Sequence, residues 1–332
     1  MYHGFTIHSI VMKSTFNHLS HSTTHLLLFL PLTLLILGCI FYPNNNLLSF
    51  FTTSFRTCST ANDASEAPPP FDDAKLNIFF GILTMPQLHE RRHLIRSVYS
   101  IQTHNLLSAK VNVRFIFCNS IKDEEVKMFL ALEITLYGDI VLLDCVENMN
   151  DGKTYTYFSS LPSLVSNGHD RPYDYVVKAD DDAYFQLENL ASFLKDKPRE
   201  DLYYGMEMSC DLLNGMCGAH NTFMAGFGYV LSWDLVEWIA ESDIARNNKT
   251  GFEDVMLAKW LNTEGKGKNR YDGVPAMYDY KGNLPEKRNR HDFIPETVAI
   301  HKLKADAQWA KTLEYFNVTN ILKPYKLHRN FR

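Results

Sequence analysis

From Leu76 onward the chain repeats one pattern, a short apolar run followed by a stretch of helical spacing. "LNIFFGILT", Leu76 to Thr84, is an apolar run of strand type. "ERRHLIRSVYSIQ" follows, with Leu94, Ile95, Val98 and Tyr99 at helical spacing. "VNVRFIFC" alternates Val111, Val113, Phe115 and Phe117 and predicts a half-buried strand. "KDEEVKMFLALEITLY" predicts a helix, with acids in its first turn, where the helix dipole favours them, and Val126, Phe129, Leu130, Ile134 and Tyr137 on its apolar side. "DIVLLDC" reads as another strand, and residues 153–164 as another helix. Strand and helix in alternation predict an α/β domain with a largely parallel sheet. In such sheets, ligands sit at the carboxyl ends of the strands.

One strand ends unusually. In "YDYVVKADDDAYF", Tyr175, Val176 and Val177 climb to Asp180, Asp181 and Asp182, and Tyr184 and Phe185 close the run. Like charges about 4 Å apart repel by roughly 4 kcal/mol at an effective dielectric near 20. A solvated turn relieves that repulsion, and so does a hard divalent cation with oxygen ligands. The position at the end of a predicted strand, between apolar walls, favours the cation. No Walker loop and no G-x-G-x-x-G loop is present, so a phosphate-bearing ligand is not held by a glycine loop.

The N-terminal part differs. "LLLFLPLTLLILGCIFY", residues 26–42, carries no charge. With Thr23 and Thr24 it reaches about 20 residues, enough for one membrane-spanning helix. Residues 1–25 hold Lys13, several histidines and no acid, which predicts a cytosolic tail and an uncleaved signal anchor rather than a cleaved leader. Residues 43–74, rich in Ser, Thr, Asn and Pro, read as an extended stem, complicated by the apolar pairs at 47–48 and 50–51. Residues 75–332 then form the lumenal domain. The sequons at Asn248 and Asn317 suit that side of the membrane. Of six cysteines, Cys210 and Cys217 flank a short loop that a disulfide could close. Cys118 and Cys145 either pair or stay buried thiols; spacing does not decide. No C-x-x-C pair argues for structural zinc. The net charge of -5 speaks against a nucleic-acid partner, which a basic patch would serve.

Six segments, in order, resemble glycosyltransferase family 31, the β-1,3-galactosyltransferase-like enzymes. They are "RRHLIRSVY"; "YGDIVLLDC" with "MNDGKT"; "VVKADDDAYF"; "MAGFGYVLS"; "FEDVMLAKWL"; and "AIHKLK". The resemblance implies a GT-A nucleotide-sugar-binding fold, a Rossmann-like mixed sheet flanked by helices, behind the anchor. It also implies a Golgi type II hexosyltransferase that inverts at the anomeric carbon and uses Mn²⁺. The implied donor is a UDP-sugar, UDP-galactose first, with GlcNAc, GalNAc or glucose as alternatives. The implied acceptor is a hydroxyl of a glycan or glycoprotein, giving a β-1,3 linkage.

The site residues follow on that basis. Breaking a sugar–phosphate bond leaves charge on a diphosphate, and a divalent ion stabilises it. Asp182 is the expected direct metal ligand, and the late His301 completes the metal shell. Asp180 bonds the ribose or a metal-bound water, and Asp181 does either. Asp254 matches the family's catalytic base, with Glu253 beside it on the donor side as the fallback. The competing reading is that both acids only favour a helix start near Val255. Arg96 and Lys178 are expected to face the diphosphate, Lys178 alternatively neutralising the Asp cluster. Gly226 and Gly228 admit backbone close to the sugar, or simply form a tight turn. Trp233 and Trp238, five apart, read as core.

Several positions depart from the family pattern. Val98-Tyr99 stands for its Thr-Trp, and Ala225 and Phe227 stand among its glycines, Phe227 enlarging a wall of the pocket. Lys281 to Asp292 is a polar basic loop without an assignment, read either as an acceptor-side loop or as disordered. Two rivals remain: a catalytically silent relative acting as a chaperone or glycan-binding module, which would be expected to lose the Asp cluster or the base, and a metal-free two-carboxylate glycoside hydrolase.

Overall fold

In β1 (Leu76–Leu83) every residue but Asn77 is buried. Its side chains serve two layers. Ile78, Phe80 and Ile82 enter one core with Ile95, Val98 and Tyr99 of α1 (His89–Asn105). Phe79 and Leu83 enter the other with Tyr157, Phe158 and Leu161 of α3 (Lys153–Val165). A strand covered on both faces reads as a continuous apolar run, which is why no alternation shows there. Gly81 makes room for Tyr157. A Cβ there would lie 2.1 Å from the Tyr157 hydroxyl, which donates to the Val177 carbonyl at 2.8 Å.

The protein is described by a computed structural model covering residues 75–165, 171–211, 217 and 221–319. The expected tail, anchor and stem over 1–74 lie outside the described residues. Among the described residues, no helix is long and apolar enough to cross a membrane. In chain order the other elements are β2 (Ala109–Cys118), α2 (Glu124–Tyr137), β3 (Ile140–Leu143), β4 (Tyr175–Asp180), β5 (Tyr184–Phe185) and α4 (Leu187–Leu194). Then come β6 (Leu202–Ser209), β7 (Thr222–Ser232), α5 (Trp233–Glu241), α6 (Asp243–Asn247), α7 (Glu253–Thr263) and β8 (Asn269–Asp272). Last are β9 (Met277–Tyr280), β10 (Arg290–His291), β11 (Ala299–His301) and α8 (Asp306–Tyr315).

The main sheet has the order β3-β2-β1-β4-β7-β6-β8. It is a mixed α/β sheet and a largely parallel one, as read from the sequence, with β7 alone running against the other six strands. β3, β2, β1 and β4 run parallel, whereas β7 is antiparallel to both β4 and β6. The chain reverses its direction of strand addition at β1, with β2 on one side and β4 on the other. The gap between the carboxyl ends of β1 and β4 is therefore the switch point at which such sheets hold ligands. A second sheet, β10-β9-β11-β5, packs beyond it. β4 ends at Asp180 in the first sheet and β5 begins at Tyr184 in the second, pairing with Ile300 of β11. The three aspartates thus occupy the corner where the chain changes sheets.

Three local expectations change. β2 does not alternate: Phe115, Ile116, Phe117 and Cys118 are all buried, because β2 lies between β1 and β3 and is covered on both faces. α2 forms, capped by Asp123 at one end and by Gly138 at φ 59° at the other. Its apolar side, however, is not buried. Of the five residues assigned there only Leu130 is buried, and Met128, Leu132 and Leu136 are 65%, 61% and 72% exposed. What faces inward is Glu133, which accepts from Arg92 at 2.6 and 2.9 Å and from Arg96 at 3.2 Å. The loop from Lys281 to Asp292 is built structure: β10 pairs with β9, and Lys281 binds Asp292 at 2.7 Å. Trp233 is buried in the core and Trp238 packs against it, as read from the sequence. Both open cysteine questions resolve to disulfides, Cys118–Cys145 and Cys210–Cys217.

Candidate active site

Lys178 lies in the middle of β4 and is fully buried. A buried ammonium is tolerated only when paired. Its Nζ donates to Asp180 Oδ1 at 2.7 Å, to Glu253 Oε1 at 2.9 Å and to the Gly226 carbonyl. Burial pulls its pKa down, but Asp180 and Glu253 outweigh that and leave it raised. Lys178 is therefore a permanent cation that joins the acidic end of β4 to the start of α7.

α7 begins with Glu253 and Asp254, two residues before Val255, where the free N–H groups of the first turn favour acids. Asp254 Oδ2 accepts from the Gly226 N–H at 3.0 Å and Oδ1 from the Val255 N–H at 2.9 Å. Glu253 is spoken for on both oxygens, Oε1 by Lys178 and Oε2 by the Tyr229 hydroxyl at 2.9 Å. Burial is the main cause raising both carboxyl pKa values; nearby donors and Lys178 only partly offset it. Neither glycine forms a turn, since both lie inside β7. A Cβ at Gly226 would stand 2.4 Å from Glu253 Oε1 and 3.2 Å from Asp254 Oδ2. Gly226 is thus the place where β7 lets both acids in. Gly228 faces Phe185, whose Cζ would be 2.4 Å from a Cβ there. It admits a core ring and is not brought to the carboxylates.

Asp180, Asp182 and His301 offer ligand atoms that all lie within 4.8 Å of one another. His301 Nε2 is 3.4 Å from Asp182 Oδ1, and Nδ1 is 2.8 Å from Asp279 Oδ1. The ring also stacks on Phe227, with centroids 4.6 Å apart and planes 8° from parallel. Phe227 therefore buttresses His301. The neutral tautomer that gives Nδ1–H to Asp279 would turn the Nε2 lone pair toward the cluster, the arrangement that orients metal-binding histidines. Two carboxylates and one imidazole fit Mn²⁺, a cation that takes oxygen ligands and accepts nitrogen. Burial pushes the Asp182 carboxyl up, but His301, Lys304 and Arg91 outweigh it and hold it below its usual range. Asp181 points elsewhere. Its Oδ2 accepts from the Thr84 hydroxyl at 2.6 Å across the switch point, and burial raises its pKa.

Arg96 is not brought to this cluster. Its guanidinium is held by Asp139 at 2.6 and 3.0 Å and by Glu133, over the Tyr137 ring. Arg91 stands nearer the carboxylates. It donates to the carbonyls of Leu303 and Lys304 at 2.6 and 2.8 Å, and its charge acts on Asp181 and Asp182. The sequence reading passed over Arg91, Asp279, Lys304 and Thr84. Only Asp279 left a signal, a single acid inside the aromatic strand "MYDY". The assembled site can hold a divalent cation at one end and a carboxylate of raised proton affinity at the other, with a buried cation between them.

The galactosyltransferase family model matches residues 90–266. "Beta-1,3-galactosyltransferase pvg3" of Schizosaccharomyces pombe is 24% identical over 284 residues, covering 70% of this chain and 73% of that protein. "Beta-1,3-galactosyltransferase 6" of Mus musculus is 26% identical over 213 residues, 60% of this chain and 63% of its own. "UDP-GalNAc:beta-1,3-N-acetylgalactosaminyltransferase 2" of Xenopus tropicalis is 24% identical over 178 residues, 50% of this chain, and the match spans only 33% of that protein.

Proposed function

The chain belongs to the galactosyltransferase family, and on that premise we propose that it is a GT-A hexosyltransferase that inverts at the anomeric carbon of a UDP-sugar. UDP-galactose is the first donor to test. The acceptor is a hydroxyl of a glycan or glycoprotein, and the product linkage is β-1,3, the linkage in the names of the relatives above. The observation that carries the reading is the bridge made by Lys178 between Asp180, at the cation end, and Glu253, beside Asp254.

Asp180, Asp182 and His301 would hold Mn²⁺, which when bound neutralises charge on the departing diphosphate. Asp254 takes the proton of the acceptor hydroxyl as that oxygen bonds to the anomeric carbon. The bond from that carbon to the phosphate oxygen breaks, and UDP leaves with the electron pair. Asp254 is the base rather than Glu253, because Glu253 is ion-paired with the buried Lys178 and held by Tyr229, whereas Asp254 accepts from backbone N–H groups and has no ion-pair partner at hydrogen-bond distance among the described residues. The backbone N–H groups of Gly226 and Val255 hold the Asp254 carboxylate in one orientation. Arg91 adds positive charge beside Asp181 and Asp182.

We place the protein in the Golgi as a single-pass type II membrane protein with residues 75–332 lumenal. Two disulfides suit an oxidising compartment, and the exposed Asn248 sequon suits glycosylation there. The test is a UDP-release assay on the purified full-length chain with a panel of UDP-sugars, an acceptor and Mn²⁺. Transfer by the wild type that is lost in both Asp254→Asn and Asp182→Ala supports the reading. Full transfer by both variants refutes the assigned roles, and hydrolysis unaffected by chelation points to a glycosidase.

A further inference from the structure

We propose that Lys153 is a positioning residue for the nucleotide, acting through Thr84 and Asp181; the inference rests on the UDP-sugar reading above. Lys153 opens α3 and is 2% exposed. Its Nζ donates to the Thr84 carbonyl at 2.6 Å and pairs with Glu147. Thr84 follows the last residue of β1. Its N–H makes a closing ladder bond to the Ile116 carbonyl at 3.1 Å, and its own carbonyl turns to Lys153. A buried carbonyl past the end of a ladder needs a donor, and Lys153 is that donor. Thr84 in turn donates its hydroxyl to Asp181 at 2.6 Å.

The other end of this chain of contacts is also fixed. Glu147 Oε2 accepts from the Cys118 N–H at 2.7 Å, and Cys118 is disulfide-bonded to Cys145, two residues before Glu147. The disulfide, Glu147, Lys153 and Thr84 therefore brace the carboxyl end of β1. They aim Asp181 across the β1–β4 gap instead of toward the Asp180, Asp182 and His301 cluster. Lys153 sets the wall against which a nucleoside would lie.

The experiment measures UDP affinity by calorimetry in the presence of Mn²⁺, Mn²⁺ affinity by electron paramagnetic resonance, and thermal midpoint, for wild type, Lys153→Met and Thr84→Val. Thr84→Val keeps the shape of the side chain and removes only the hydroxyl, so it remains informative if Lys153→Met does not fold. The expected result is about tenfold weaker UDP binding in each folded variant, as for loss of one charge-assisted hydrogen bond, with Mn²⁺ affinity within about twofold of wild type. If UDP affinity is unchanged in Thr84→Val while Lys153→Met only lowers the thermal midpoint or fails to fold, Lys153 is structural and the inference is overturned alone. If the wild type binds no UDP, the transferase reading falls, and this inference falls with it.

Discussion

Replacing Gly226 by alanine adds one methyl group at the point where β7 meets α7. The added Cβ would start 2.4 Å from Glu253 Oε1, and ordinary contact begins at 3.4 Å, so the carboxylate or the strand must yield by about 1 Å. Glu253 cannot simply swing away, because Lys178 and Tyr229 hold it at 2.9 Å each. Asp254 Oδ2, at 3.2 Å from the same Cβ, is pushed as well. Gly226 sits in a strand without a left-handed φ, so alanine there suffers crowding but no backbone strain. Glu253 adjoins the base in α7, and a misplacement of about 1 Å passed on to Asp254 costs on the order of 10²-fold in rate. Gly226→Ala should therefore fold and lose about 10²-fold in kcat for sugar transfer, read by UDP release. Gly138→Ala is the control. Gly138 has φ 59° and no atom within 4 Å of its would-be Cβ, so alanine there costs about 1–2 kcal/mol of stability and leaves kcat unchanged. A folded Gly226→Ala enzyme with kcat within threefold of wild type would refute the claim that this glycine makes room for the acids.

Asp254 must be ionised to accept a proton, and burial raises its pKa. The acid limb of the kcat/KM profile should accordingly fall at a pH above the ordinary aspartate range, and Asp254→Asn should lose about 10³-fold; an acid limb at or below that range argues against this base. Asp279→Asn frees the His301 ring and should weaken Mn²⁺ binding roughly tenfold, measured by electron paramagnetic resonance, although Asp279 is not in the cation cluster. Burial pushes Glu133 up, but Arg92 and Arg96 outweigh it and leave its pKa lowered. Its stabilising effect is then complete above the unfolded glutamate value near 4.3 and fades as pH falls through the lower folded value. Glu133→Ala should cost about 3 kcal/mol in urea unfolding at pH 7, with a smaller difference at pH 3.

The parts of this fold that could be read from the chain were those governed by local patterning. The apolar runs at Leu76 and Tyr175 are strands because nothing else buries two faces in so few residues. The three aspartates stood out because they interrupt such a run. α2 misled because its periodicity is real while its burial is decided by one ion cluster, Glu133 between Arg92 and Arg96. Arg96 was misplaced for the same reason. Three arginines in one helical segment look equivalent until Glu133 of α2 and Asp139 just beyond it are positioned, and these acids lie about forty residues away in sequence. Gly226 and Gly228 were indistinguishable as letters, and only the neighbours Glu253 and Phe185 separate them. Lys153 entered the sequence reading only as the lysine of "MNDGKT", with no role, because its partner Thr84 lies 69 residues before it in the chain.

The corner aspartates draw their neighbours from stretches of polypeptide far apart in the chain, among them Thr84, Arg91, Lys178 and His301. The span that carries the family likeness, 90–266, includes Asp180, Asp182 and Asp254 but not Thr84, Asp279 or His301. A transplant or split that respects only that span would carry the proton acceptor while leaving the cation two carboxylates and no imidazole. On the proposed roles, a junction placed before His301 parts the imidazole from the two carboxylates that would share a cation with it.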